Sequence, residues 1–206
     1  AGSGDASDQF VSVGETFKAH DITHLQCTPS TARMRHPARE RMGRSRPRAG
    51  CFGMPSVDRT DLMIRRLAQG DPRPIAAAFD ALGWNKPVEQ YERYLAQQRA
   101  DQRAVFVAQI NGRFGGYVTL VWESSYPPFR DRGIPEVQDL NVLPEFRRRG
   151  VASALMDAAE AHARERAPAV GIGVGMDPDY GAAQAMYVRR GYVPDARGLT
   201  SHGRHL

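Results

Sequence analysis

Several things are scarce in this chain. No apolar run approaches the roughly 18–20 residues needed to cross a bilayer, so no membrane span is expected. There are two cysteines, Cys27 and Cys51. They do not make a disulfide framework, and a reducing, cytoplasmic setting fits them best. The first residues lack a basic stretch followed by an apolar one, so no secretory signal is visible. The paired Cys or His spacing of a zinc site is also missing. His20, His24 and Cys27 have spacings that a helix could bring together, with Cys51 completing a set, but the pairs are too loose. No metal is expected.

What is present suits one domain of ordinary size plus an extension, in 206 residues. The net charge is +5 and unevenly spread. Arg33, Arg35, Arg39, Arg41, Arg44, Arg46 and Arg48 face one acid in that stretch, Glu40. The rest is close to balance. A basic segment of this kind could touch nucleic acid. It lacks interleaved aromatic residues, so that reading carries little weight.

Residues 1–60 do not read as part of the domain that follows. Residues 36–55 are rich in Arg, Gly and Pro and show no periodicity, which suits a disordered linker. The absence of Met at position 1 reads as a fragment, a fusion junction or a misplaced start, with Met54 or Met63 as alternatives. From residue 61 the pattern changes. Leu62–Leu67 is predicted as a strand. Pro72 and Pro74 open a helix whose stripe is Ile75, Ala78, Phe79 and Leu82. Val88, Tyr91 and Leu95 mark a second helix ending near Ala100. Ala104–Ile110 and Phe114–Trp122 are strands joined at Asn111–Gly112, the strongest hairpin signal in the chain. Residues 124–134 form a long loop. Glu136–Leu143 is the next strand. A helix follows with Val151, Ala154, Leu155, Ala158 and His162 on its inner face, ended by Pro168. Val170–Met176 is a glycine-rich strand, Ala182–Arg190 a helix stopped by Gly191, and Tyr192 begins a last strand. Asp195–Leu206 is polar.

The strand at Glu136–Leu143 stops at Pro144. A basic turn, Phe146-Arg-Arg-Arg-Gly150, leads directly into the long helix. Strand, turn and helix N-terminus in that order hold phosphate well. Backbone N–H groups there lack partners, and the helix adds a positive dipole end. Gly150 allows close approach of the backbone, and Arg147, Arg148 and Arg149 add full charges. Gly171, Gly173 and Gly175 raise a dinucleotide-binding alternative. Its fingerprint needs glycine where Met176 stands, and a helix that Pro178 disfavours, so it is rejected.

Arg147-x-x-Gly150-x-Ala152 resembles the Arg/Gln-x-x-Gly-x-Gly/Ala loop of the GCN5-related N-acetyltransferases. Ala183, Tyr187, Gly191 and Tyr192 resemble that family's Ala-x-x-x-Tyr-x-x-x-Gly-Phe/Tyr signature. The element order matches too, from about residue 61 to the end. The resemblance implies an α/β fold with a mixed central sheet in the order β-α-α-β-β-β-α-β-α-β. It implies acetyl-CoA as cosubstrate, with the backbone of Leu140, Asn141 and Val142 along the pantetheine. The pyrophosphate would lie on Arg147, Arg148, Arg149, Gly150, Val151, Ala152 and Ser153. The strand at 136–143 is expected to part from Ile172–Met176 beneath the cosubstrate, with the glycines there permitting close approach. Glu136 would be the base, with Asp139, Glu123 and Asp131 as weaker candidates, and Tyr187 the acid.

Two departures stand out. The family's last strand, paired with the one beginning at Tyr192, is expected to be missing, leaving an open edge. A common asparagine seven residues before the tyrosine is here Tyr180. Residues 8–34, above all Thr23–Met34, resemble a short internal piece of an amino-acid adenylation domain, without its nucleotide-binding motifs.

The function implied is acetyl transfer from acetyl-CoA to a primary amine by direct attack in a ternary complex. The acceptor, a small molecule or a peptide, would be selected near Trp84–Lys86 and the 124–134 loop. The alternatives are an acyl-CoA-binding module without turnover and nucleic-acid contact through the arginine-rich segment. A homodimer is compatible with the family resemblance.

Overall fold

The computed structural model describes residues 22–27, 61–201 and 204–205. After β1 (Ile22–Cys27) the order continues with β2 (Leu62–Arg66), α1 (Pro72–Asp80) and α2 (Val88–Arg99). Pro72 occupies the first turn of α1, where its missing N–H costs nothing. Ile75 and Phe79, one turn apart, are the residues that α1 buries with it. β3 (Arg103–Ile110) and β4 (Arg113–Val121) form the hairpin expected at Asn111–Gly112. Both turn residues have positive φ, 50° and 78°, which a tight turn matched to the strand twist requires.

A short helix, α3 (Pro127–Arg130), lies in the segment expected to be loop. β5 (Glu136–Val142), α4 (Val151–Ala163), β6 (Val170–Gly175), α5 (Gly181–Arg189), β7 (Val193–Ser201) and β8 (Arg204–His205) complete the order. α4 ends at Ala163, before Pro168, and buries Val151, Leu155, Met156, Ala159 and Ala163. The expected face was turned: Ala154, Ala158 and His162 are only partly buried. The reason is that Met156 and Ala159 win the sheet contact, while the ring of His162 stays against Trp122 and Phe106 at the rim.

The two faces of the sheet differ. α1 and α2 cover one, where Phe79 and Tyr91 meet Tyr117 of β4 at ring separations of 5.9 and 5.4 Å. α4 covers the other, with Phe106 of β3 reaching His162. α5 lies on the α4 side: Arg190, just past its end, bonds Glu160 and Asp157 of α4.

The main correction concerns residues 22–27, which belong to the domain. They form β1 (Ile22–Cys27), and the sheet runs β2-β3-β4-β5-β6-β1-β7-β8. β1 is antiparallel to both β6 and β7. Leu25 enters the main core, and His24, also buried, stacks on Tyr126. The partner that β7 was expected to lack is therefore supplied from the start of the chain. β7 also runs on to Ser201 and pairs with β8, so the stretch from Asp195 is not merely a polar end. The arginine-rich segment and the proposed linker lie outside the described residues, as do His20 and Cys51.

Candidate active site

β5 and β6 are parallel neighbours, but they pair only at Glu136–Gly171 and Val137–Ile172. Beyond that point they separate. From Gln138 to Val142 the β6-side edge of β5 has no partner strand among the described residues, while β6 remains paired with β1 on its far side. The result is a cleft through the sheet, bordered by Leu140, Asn141 and Val142.

β5 is also bulged. Tyr117 pairs with Asn141 and Thr119 with Gln138, so Asp139 and Leu140 together face Val118. Asp139 takes φ +50°. Sequence spacing carries a trace of this: Val137, Leu140 and Val142 step by three and then two, which breaks strict alternation.

The turn after β5 begins with a 3₁₀ turn at Pro144–Phe146 and reaches α4 at Val151. Arg148 and Gly150 have φ +60° and +81°. Alternating left-handed positions curl successive N–H groups toward one side. The N–H groups of Arg148, Arg149, Gly150, Val151, Ala152 and Ser153 donate to no described residue. Ala154 is the first in the run to do so, to Gly150 O at 3.0 Å. A Cβ at Gly150 would meet nothing within 4 Å, so the space beside it is open. Arg147 is partly committed: its Nε donates to Val142 O at 3.2 Å, bracing the turn against the end of β5. Arg148 and Arg149 are exposed.

Glu136, at the start of β5, is fully buried. Its Oε2 accepts from Ser124 Oγ at 2.6 Å and from Gln138 Nε2 at 3.2 Å. Its Oε1 has no hydrogen-bond partner among the described residues. Burial pushes the carboxyl up from its ordinary range, against the lowering effect of Ser124, Gln138 and Arg103. Gln138 Oε1 in turn accepts from Arg103, which also bonds Thr119 and Gln97 of α2. Glu136 therefore faces the α2 side of the sheet.

Tyr187 lies on α5, across the sheet. It is 5 % exposed and packs against Tyr192 at 5.8 Å between ring centroids. Burial raises its phenol well above the usual tyrosine range, and no described residue hydrogen-bonds its hydroxyl. The base and acid candidates therefore sit on opposite faces of a sheet that opens beside one of them.

In the sequence Asp139 is only a weaker candidate for the base, and Lys86 falls in the region expected to select the acceptor. The structure puts both at the centre of a buried polar cluster. Asp139 Oδ1 accepts from Lys86 Nζ at 2.8 Å and Asn141 Nδ2 at 2.7 Å. Its Oδ2 accepts from Gln90, Tyr94 and Tyr117 at 2.9, 2.9 and 2.5 Å. Burial, with the Asp139 charge adding to it, raises the phenols of Tyr94 and Tyr117. Asn141, expected only as a backbone contact, is thus also a side-chain member of this cluster.

Two of the β6 glycines serve the protein itself. A Cβ at Gly171 would fall 2.2 Å from the Phe129 ring, and one at Gly175 2.5 Å from Tyr180. Tyr180 fills the space over Gly175 of β6. Glu123 and Asp131 are both exposed, apart from the Asp139 cluster. Among the described residues no group of three or more His, Cys, Asp or Glu is placed to hold a metal. Nor is any helix there long and apolar enough to cross a membrane.

A strand that splits from its neighbour, then a turn of open amides into a helix, makes a cleft suited to an extended ligand that carries phosphate. Residues 68–192 match the acetyltransferase (GNAT) family, and the chain belongs to it. An uncharacterized N-acetyltransferase of Archaeoglobus fulgidus is 33 % identical over 81 residues, 39 % of this chain and 53 % of that protein. The chain thus spans about half the length of that relative. Among solved structures, a functionally unknown conserved protein of Staphylococcus epidermidis aligns with TM-score 0.53 at 16 % identity, over 86 % of this chain and 59 % of that one. The enzyme AAC(6')-Iy, bound to a bisubstrate analog of CoA and acetylneamine, aligns with TM-score 0.51 at 21 % identity, over 64 % of this chain and 90 % of its own. These structural likenesses concern the fold.

Proposed function

We propose that the protein transfers an acetyl group from acetyl-CoA to a primary amine, by direct attack in a ternary complex. The observation that carries this reading is the run of uncommitted amides from Arg148 to Ser153, set at the end of the split between β5 and β6. An anion there gains oriented N–H donors and a helix dipole without displacing any internal bond. Acetyl-CoA fits on chemical grounds: a diphosphate for the turn, and an extended amide-bearing arm for the bare edge of Leu140, Asn141 and Val142.

When bound, acetyl-CoA supplies an activated acyl carbon. The chain's residues do the rest. Glu136 Oε1, buried and unpartnered, takes one proton from the attacking amine, directly or through water. The nitrogen–carbonyl bond forms and the carbon–sulfur bond breaks. Tyr187 is kept protonated by burial and gives its proton to the departing sulfur. The products are an amide and a thiol, and one proton passing through solvent resets the two side chains. The acceptor would enter on the α1–α2 side, where Glu136 faces; AAC(6')-Iy, with its acetylneamine-based ligand, makes aminoglycoside-like amines worth including.

The test is titration of coenzyme A by calorimetry, followed by thiol release from acetyl-CoA across an amine panel. Binding plus amine-dependent release is expected. No heat with coenzyme A would defeat the reading.

A further inference from the structure

Asp139 is an oddity that the proposed chemistry does not use. It is a non-glycine residue in left-handed conformation, φ +50°, inside a strand. Asp tolerates this better than most residues but does not hold it unaided. Five side chains fix its carboxylate: Lys86, Asn141, Gln90, Tyr94 and Tyr117. Lys86 alone carries a charge. Its side chain is 1 % exposed, that of Asp139 8 %.

The bulge sits where the β6-side edge of β5 is bare. Its shape decides which backbone groups point into the cleft. Lys86 comes from the connection between α1 and α2, 53 residues away in sequence. The connection between α1 and α2 thus places a charge against the residue at the centre of the bulge.

We propose that Lys86 and Asp139 are positioning residues, an ion pair that holds the β5 bulge so that its backbone donors meet the carbonyl of the reacting thioester. This rests on the acetyl-CoA reading above. A donor aimed at that oxygen stabilises the charge that develops there only if it is fixed beforehand. Small misplacement costs orders of magnitude. The pair does not touch the amides from Arg148 to Ser153, so coenzyme A affinity and carbonyl polarisation are separable.

The experiment uses the full chain and four variants: Lys86→Met, Asp139→Asn, Lys86→Met/Asp139→Asn and Lys86→Met/Asp139→Gly. Calorimetry gives the dissociation constant for coenzyme A. Infrared spectroscopy of bound acetyl-CoA labelled with 13C at the carbonyl reports polarisation, with no acceptor needed. Thiol release with an amine found active for the parent gives kcat and KM. The expected result for the single variants is coenzyme A affinity within about twofold of the parent, a carbonyl band moved toward its free position, and kcat lowered about ten- to hundredfold. An unmoved band with unchanged kcat overturns the proposal. If the single variants do not fold, the Lys86→Met/Asp139→Asn variant decides. It leaves neither partner's charge unpaired and keeps a non-glycine residue at φ +50°, and a parental band and kcat in it overturn the proposal equally. The glycine double variant reaches that φ without help and is expected to regain part of both. A parent that fails to bind coenzyme A would defeat the functional reading instead, before any variant is made.

Discussion

His24 lies flat on Tyr126, with ring centroids 3.5 Å apart and planes 4° from parallel. Phe129 meets the same imidazole edge-on at 5.6 Å. Tyr126 also donates its hydroxyl to Asp195 at 2.6 Å. A six-residue strand near the start of the chain is thereby packed into the middle of the sheet and tied to the 124–134 segment. Leu25 is 5 % exposed in the main core. Leu25→Ala should cost about 2–4 kcal/mol, read as a lower denaturant midpoint at unchanged slope. An unchanged midpoint would mean that β1 contributes nothing to the domain.

Gly150 separates two kinds of damage. Its φ of +81° strains any L side chain, but nothing stands within 4 Å of a Cβ there. Gly150→Val should therefore cost only about 1–2 kcal/mol in stability. Coenzyme A binding should fall tenfold or more, since the side chain occupies the approach to the open amides. Tight binding by a folded Gly150→Val protein would contradict the assignment of the turn.

Tyr187→Phe removes one hydroxyl and keeps the ring against Tyr192. Because no described residue hydrogen-bonds that hydroxyl, the fold should hardly notice. Turnover should drop about a hundredfold, with coenzyme A affinity retained. Equal turnover in the two proteins would strip Tyr187 of its role.

Glu136 predicts a pH signature of definite sign. Its carboxyl is raised in the folded protein, chiefly by burial. The folded state then holds the proton more tightly than the unfolded one. That contribution to stability is present below the ordinary carboxylate range and is lost as pH rises through the raised value. Glu136→Gln should abolish this loss, so its melting temperature at neutral pH should equal or exceed the parent's. Turnover should fall in the same variant. In the parent, kcat/KM should decline on acidification through a limb lying above the usual glutamate range. A limb at the ordinary glutamate value would argue against Glu136 as the base.

How far the sequence showed all this depends on how local each signal is. The hairpin at Asn111–Gly112 was legible because two residues fix a turn by their own backbone preferences. The turn from Arg147 to Ser153 was legible for the same reason, since glycine, charge and helix start lie within a few positions. The fold order followed from apolar period. Other features depend on contacts distant in sequence. β1 was missed because one of its two side chains seen to be buried is His24, covered by rings more than a hundred residues later. The inner face of α4 was misjudged because Ala154, Ala158 and Ala159 are indistinguishable until a sheet is placed beneath them. Lys86 is not legible as a buried residue because a lysine ordinarily stays in water. Only the bulge at Asp139 gives it an anion to follow inward.

The insertion of β1 has a consequence for biosynthesis. Its partner in β6 is about 150 residues downstream, Ile22 opposite Gly175, and β7 comes later still. Of the described strands, the earliest in sequence is thus among the last to find its neighbours. Until then a nascent chain exposes two strand edges that the finished sheet conceals, so translation speed across α5 and β7 should govern how much protein escapes aggregation.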